Sequence, residues 1–78
     1  MARGYSSLFV QDVEDANPSL IGVQLAKLCI KKDIPVVEIA EYFKVSRTAV
    51  YEWFKGHRHV GNRHLDKMNK LIEKLSSK

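Results

Sequence analysis

The chain has 78 residues, 45% hydrophobic and 28% charged, with a net charge of +4 at pH 7. Such a length holds one small domain with a thin core, and the composition is that of an ordinary globular protein. No apolar run approaches the roughly 20 residues that span a bilayer, the opening Met1 to Gly4 lacks the apolar segment of a signal peptide, and a lone Cys29 excludes an internal disulfide. A reducing, cytoplasmic setting is the expectation.

In residues 1–17, Tyr5, Phe9, Val13 and Ala16 recur at helical spacing. They predict a short amphipathic helix over about 6–15, with Asp12, Glu14 and Asp15 on its wet side. The alternative is an arm lying across the core through Leu8 and Phe9; Arg3 beside Gly4 is expected to belong to a disordered terminus, the other reading being a flexible arm that reaches DNA. Asn17-Pro18 reads as a helix start, Asn as cap and Pro at the first helical position. From Ser19 to Lys32, Ile21, Leu25, Leu28 and Cys29 form one apolar stripe, and Lys31 and Lys32 suit the negative end of the helix dipole. Cys29 on that stripe reads as a small core residue, not a nucleophile.

The most informative stretch is Ile34 to Gly56. Ile39, Ala40 and Phe43 fall at helical spacing, then Val50, Trp53 and Phe54 do the same, on either side of a break at Lys44-Val45-Ser46. Pro35 fixes the entry of the first of these helices. Ser46 is placed to cap the second, and Gly56 to end it in the left-handed region. Two helices of about eight residues are not stable alone in water, so other elements must cover them. Small Ala40 lets them cross closely and Val45 plugs the turn. This is the helix-turn-helix pattern, whose second helix can enter a DNA major groove.

A polar loop, His57 to Asn62, leads to a last helix expected from Asn62 or Arg63 to about Leu75. Its stripe is Leu65, Met68, Leu71, Ile72 and Leu75, with Lys67, Lys70 and Lys74 facing water; residues 76–78 are expected to fray. The expected fold is all-α, four to five short helices, with residues 1–17 an arm or short helix and 18–78 the helix-turn-helix domain. Charge divides along the chain: residues 1–43 carry four bases against six acids, residues 44–78 nine against three. A basic half containing the candidate reading helix suits a polyanion partner.

From about Ile21 to Leu75 the sequence resembles the lambda-repressor and Cro family of helix-turn-helix DNA-binding domains. Gly22, Leu25, Ile39-Ala40, Val45-Ser46-Arg47, Val50, Trp53 and Gly56 carry the likeness. The resemblance implies a phage or bacterial transcription regulator, most simply a Cro-type repressor that binds operator DNA as a homodimer. Two positions depart from the pattern. The family often pairs an arginine late in its first helix with a glutamate just before the glycine that ends its third. Cys29 and Phe54 stand there, so an ion pair is replaced by two apolar groups, which are expected to touch. The family's Ser or Thr and phosphate-binding Gln give way to Pro35 and Val36, neither with a side-chain donor. The Trp53-Phe54 pair also occurs in homeodomain reading helices, but Gly56 falls near the position of their Asn.

With Val50 and Trp53 turned inward, Arg47, Thr48, Tyr51 and Glu52 are the candidate base readers. Arg can bridge guanine O6 and N7, the Thr methyl can pack on a thymine methyl, and Glu can accept from cytosine N4. Glu52 has a competing role in a pair with Thr48 or Lys55 on the helix surface. Lys44, Ser46, Lys55, His57, Arg58, His59 and Arg63 are the candidate phosphate contacts, supplying affinity without sequence information. His57, His59 and His64 lack a companion cysteine or acid pair for a tetrahedral metal site. There is no glycine-rich phosphate loop, carboxylate pair or nucleophile with a base, so neither enzyme activity, a cofactor nor a small-molecule ligand is expected. The dimer surface could be the last helix, the N-terminal segment or Tyr42. A protein-binding module using the same helix face is the alternative.

Overall fold

In the computed structural model, residues 5–76 are described. Arg3, and residues 77–78 of the end expected to fray, lie outside them. The described residues form five helices and no strand: α1 (Ser7–Asp15), α2 (Ile21–Lys32), α3 (Val36–Phe43), α4 (Arg47–Phe54) and α5 (Asn62–Ser76). The fold is therefore all-α.

The first helix forms where its spacing places it. The Ser6 hydroxyl caps it by accepting from the Phe9 amide at 3.1 Å. Tyr5, Phe9 and Val13 are buried, whereas Leu8 is 80% exposed, so the segment is a docked helix and not an arm held through Leu8. The Tyr5 hydroxyl donates to the Ile34 carbonyl at 2.5 Å, tying this end of the chain to the α2–α3 connection.

The expected start of α2 is corrected. Asn17 does not cap a helix. Its side-chain oxygen accepts from the Ser19 amide at 3.0 Å and the Ser19 hydroxyl at 2.8 Å, an Asx turn that carries the chain around Pro18. The helix begins only at Ile21, behind Leu20, which offers no side-chain cap. Its buried face also differs in detail: Gly22, Val23, Leu25, Ala26 and Cys29 are buried, while Ile21 and Leu28 are half-buried at its edges.

α2 and α3 end alike. Asp33 and Lys44 both adopt left-handed backbone, φ 59° and 58°. Behind them the amides of Ile34 and Val45 reach back five residues to the carbonyls of Cys29 (2.8 Å) and Ala40 (3.0 Å). That is the Schellman closure, made here without glycine. The three-residue break 44–46 then passes directly into α4, where the Ser46 hydroxyl accepts from the Ala49 amide at 3.2 Å. Lys55 continues α4 in nearly helical backbone, and Gly56, at φ 79°, reverses the chain.

One core joins all five helices. Val36, Ile39, Ala40 and Phe43 enter it from α3, Val50, Trp53 and Phe54 from α4, and Met68 from α5. Cys29 and Phe54 are both fully buried in this cluster. α2 packs on α4 as well as on α1 and α5. The close approach depends on Gly22, since a Cβ there would lie 2.4 Å from the Trp53 carbonyl oxygen. On α5 only Met68 is fully buried; Leu65, Leu71, Ile72 and Leu75 are half-exposed. Lys67 is exposed, as expected, and its side chain also reaches across the surface to α3. Its Nζ donates to the Tyr42 carbonyl at 2.7 Å and sits 4.6 Å from the Tyr42 ring centre.

Candidate nucleic-acid interface

α4 is held from behind. Its i, i+3, i+4 residues Val50, Trp53 and Phe54 are buried, so the opposite face must be presented outward. Trp53 is wedged between rings, with Phe43 edge-to-face at 5.5 Å and the His64 ring tilted against it at 5.5 Å. Such packing fixes the rotation of α4 about its own axis. His64, considered above beside His57 and His59, thus packs on the core, and no three metal-ligating side chains converge among the described residues.

Of the four candidate base readers, Arg47 and Thr48 are exposed on the first turn of α4. Tyr51 lies at the border, 36% exposed, with its ring edge-to-face against Phe9 of α1 at 5.4 Å. Glu52 is half-exposed. Its competing partner is neither Thr48 nor Lys55 but His57, whose Nδ1 lies 3.9 Å from Oε1. The Glu52 carbonyl also accepts from the amides of His57 (2.9 Å) and Arg58 (3.3 Å), which folds the following loop back against the helix end.

The candidate phosphate contacts fall in four places. Lys44, Ser46 and Arg47 line one shallow recess between α3 and α4, shared with Val37 and Glu41. The Ser46 oxygen is engaged as the cap, leaving its hydroxyl proton free to donate. His57, Arg58 and His59 are exposed in the loop after α4, and Arg63 is exposed on the first turn of α5. Lys55 is half-buried, its Nζ 5.9 Å from the Phe9 ring centre. Val36, at the start of α3, is 5% exposed and turned into the core, so side-chain phosphate contact is absent from that corner.

The part of this surface not legible from the α4 sequence is its α1 wall. Tyr5, Ser6 and Phe9 stand beside Thr48, Tyr51 and Lys55 around one recess. The signal was the apolar spacing of Tyr5 and Phe9, which marks them as buried but does not say against what.

Of the two buried ionisable groups, Cys29 lies away from this surface and Tyr5 lines its α1 side. Burial pushes the Cys29 thiol up to about 12, aided by the charge of Glu38, so it stays a protonated, unreactive core group. Burial likewise raises the Tyr5 phenol well above its usual range, with Cys29, Tyr51 and Asp33 adding to the shift. No helix among the described residues is long and apolar enough to cross a membrane. No family model, characterised protein or solved structure matches this chain.

Proposed function

We propose that this chain is a sequence-specific double-stranded DNA-binding transcription regulator, a small repressor of the Cro type acting in a bacterial cytoplasm. The observation that carries the reading is the orientation of α4. Val50, Trp53 and Phe54 lock one face into the core, and Arg47 and Thr48 stand exposed on a Ser46-capped first turn beside Lys44. In this reading α4 lies in the major groove, with Arg47 on guanine and the Thr48 methyl on thymine. Tyr51 and Glu52 border the read bases. Glu52 divides its carboxylate between cytosine N4 and His57.

Lys44, Ser46, Lys55, His57, Arg58, His59 and Arg63 then supply the sequence-independent affinity. The excess of bases over acids in residues 44–78 supports the same assignment. One eight-residue reading helix covers few base pairs, so a homodimer on a two-fold operator gives the specificity a regulator needs.

The test is a binding titration of wild type and Arg47→Ala against upstream DNA of its own gene and against random duplex, at two salt concentrations. The expected outcome is preference for the upstream DNA by wild type. Arg47→Ala loses about 1–3 kcal/mol of that discrimination and retains weak, salt-sensitive binding. Equal binding of both proteins to both duplexes, or none, defeats the reading. A protein partner docking on the α4 face is the second reading, supported by Tyr51, whose ring continues onto the Phe9 ring of α1. Docking of that kind would be far less sensitive to salt.

A further inference from the structure

We infer that α1 is the second wall of the DNA interface, and that the recess between α1 and α4 seats the sugar-phosphate backbone of the strand running beside α4. This rests on the DNA-binding reading above and adds an element that the helix-turn-helix itself does not supply.

The recess is open, about 430 Å³, and lined by Tyr5, Ser6, Phe9, Thr48, Tyr51 and Lys55. Its chemistry is that of a deoxyribose phosphate. An aromatic stack backs the sugar seat: the Tyr51 ring, exposed at the surface, meets the buried Phe9 ring edge-to-face at 5.4 Å, and Phe9 stacks on the buried Tyr5 at 5.3 Å. Lys55 supplies the cation for the phosphate, its Nζ held 5.9 Å from the Phe9 ring centre. Hydroxyls of Ser6, Thr48 and Tyr51 rim it with donors.

Charge discriminates this recess from its neighbours. No acidic side chain among the described residues lines it. The recess between α3 and α4 contains Glu41, and that between α3 and α5 contains Glu38. The first turn of α1 holds no acid either, since Asp12, Glu14 and Asp15 all come later in the helix. Thr48 and Tyr51 belong both to this recess and to the candidate reading face. A strand whose bases meet α4 therefore passes the mouth of the recess, and a wide polar-rimmed opening suits a continuous backbone better than an enclosed small molecule.

The decisive variant is Ser6→Asp. Aspartate caps a helix as well as serine and is favoured at its N-terminus, so α1 and the fold are kept, as circular dichroism will show. It also sets a negative charge at the proposed phosphate seat. Asn69→Asp, the same charge change on an exposed α5 residue outside the recess, is the control.

The probes are a random-sequence duplex and the upstream DNA of the gene. Ser6→Asp is expected to weaken binding to both by about tenfold or more, against little change for Asn69→Asp. Lys55→Gln is expected to lower the slope of log affinity against log salt by about one. If wild type binds DNA and Ser6→Asp stays within twofold of Asn69→Asp, α1 is not part of the interface. If wild type binds neither duplex, the DNA-binding reading itself falls, and this inference with it.

Discussion

Gly22 shows how a single missing methyl group sets the spacing of two helices. A Cβ at this position would fall 2.4 Å from the Trp53 carbonyl oxygen and 2.9 Å from its carbon. Both are backbone atoms, so no side chain can rotate away and α2 must separate from α4. Overpacking of this kind costs about 3 kcal/mol at the upper end, and the better helix propensity of alanine returns about 1. Gly22→Ala is therefore expected to lose about 2 kcal/mol in urea unfolding. Gly61→Ala, where nothing lies within 4 Å of the added atom, should unfold almost as wild type does. Equal midpoints for the two variants would show that α2 and α4 do not need this close approach.

At the scale of elements, the end of α3 is where stability and the proposed function pull apart. Lys44 holds left-handed backbone at φ 58°, a strain of about 1–2 kcal/mol for a residue with a Cβ. Lys44→Gly removes that strain but loosens the unfolded chain by roughly 0.4–1 kcal/mol. The net expectation is a gain of about 0.5–1 kcal/mol in thermal unfolding, with weaker binding to any duplex because a phosphate contact is lost. A glycine variant that binds DNA as tightly as wild type would remove Lys44 from the interface.

The elements themselves were largely legible because their periodicity is strong. Ser46, Gly56 and the inward set Val50, Trp53 and Phe54 announce α4 within a residue of its observed bounds. The start of α2 was not legible, because Asn17-Pro18 carries the chemistry of both a helix cap and an Asx turn. Sequence alone does not rank the two; the Ser19 hydroxyl and amide, both taken by Asn17, decide for the turn. Lys67 faces water as its helical phase requires, but its surface contact was hidden for a related reason. A long cationic stem on a wet helix face reads as solvated, and only the neighbouring Tyr42 ring and carbonyl reveal its docking. For the candidate site, the exposed α4 residues followed from helical phase. The α1 wall did not, since phase within one helix is silent about which other helix it meets.

The whole molecule has one core, and two of the groups in it carry protons that burial, more than any neighbouring charge, retains. Tyr5 enters from α1 and donates to the Ile34 carbonyl; Cys29 enters from α2. The unfolded chain releases the Cys29 proton near its ordinary value of 9.0, whereas the folded chain holds it to about 12. A folded-state value raised in this way contributes stability that is fully present below the unfolded value and is lost as pH climbs through the folded one. The Tyr5 phenol, raised in the same direction, adds its loss at somewhat higher pH. Melting temperature should therefore be insensitive to these two groups at neutral pH and fall between pH 9 and 12. The steepest contribution from each group is about 1.4 kcal/mol per pH unit. Cys29→Ala lowers stability at neutral pH by leaving a small cavity, so the slope is the informative quantity, not the level. Its alkaline limb should be shallower than that of wild type, and Tyr5→Phe should flatten the limb further toward its upper end. Parallel limbs for wild type and Cys29→Ala would mean that the thiol ionises as readily in the folded protein as in the unfolded one, and that water reaches the α2 face of the core.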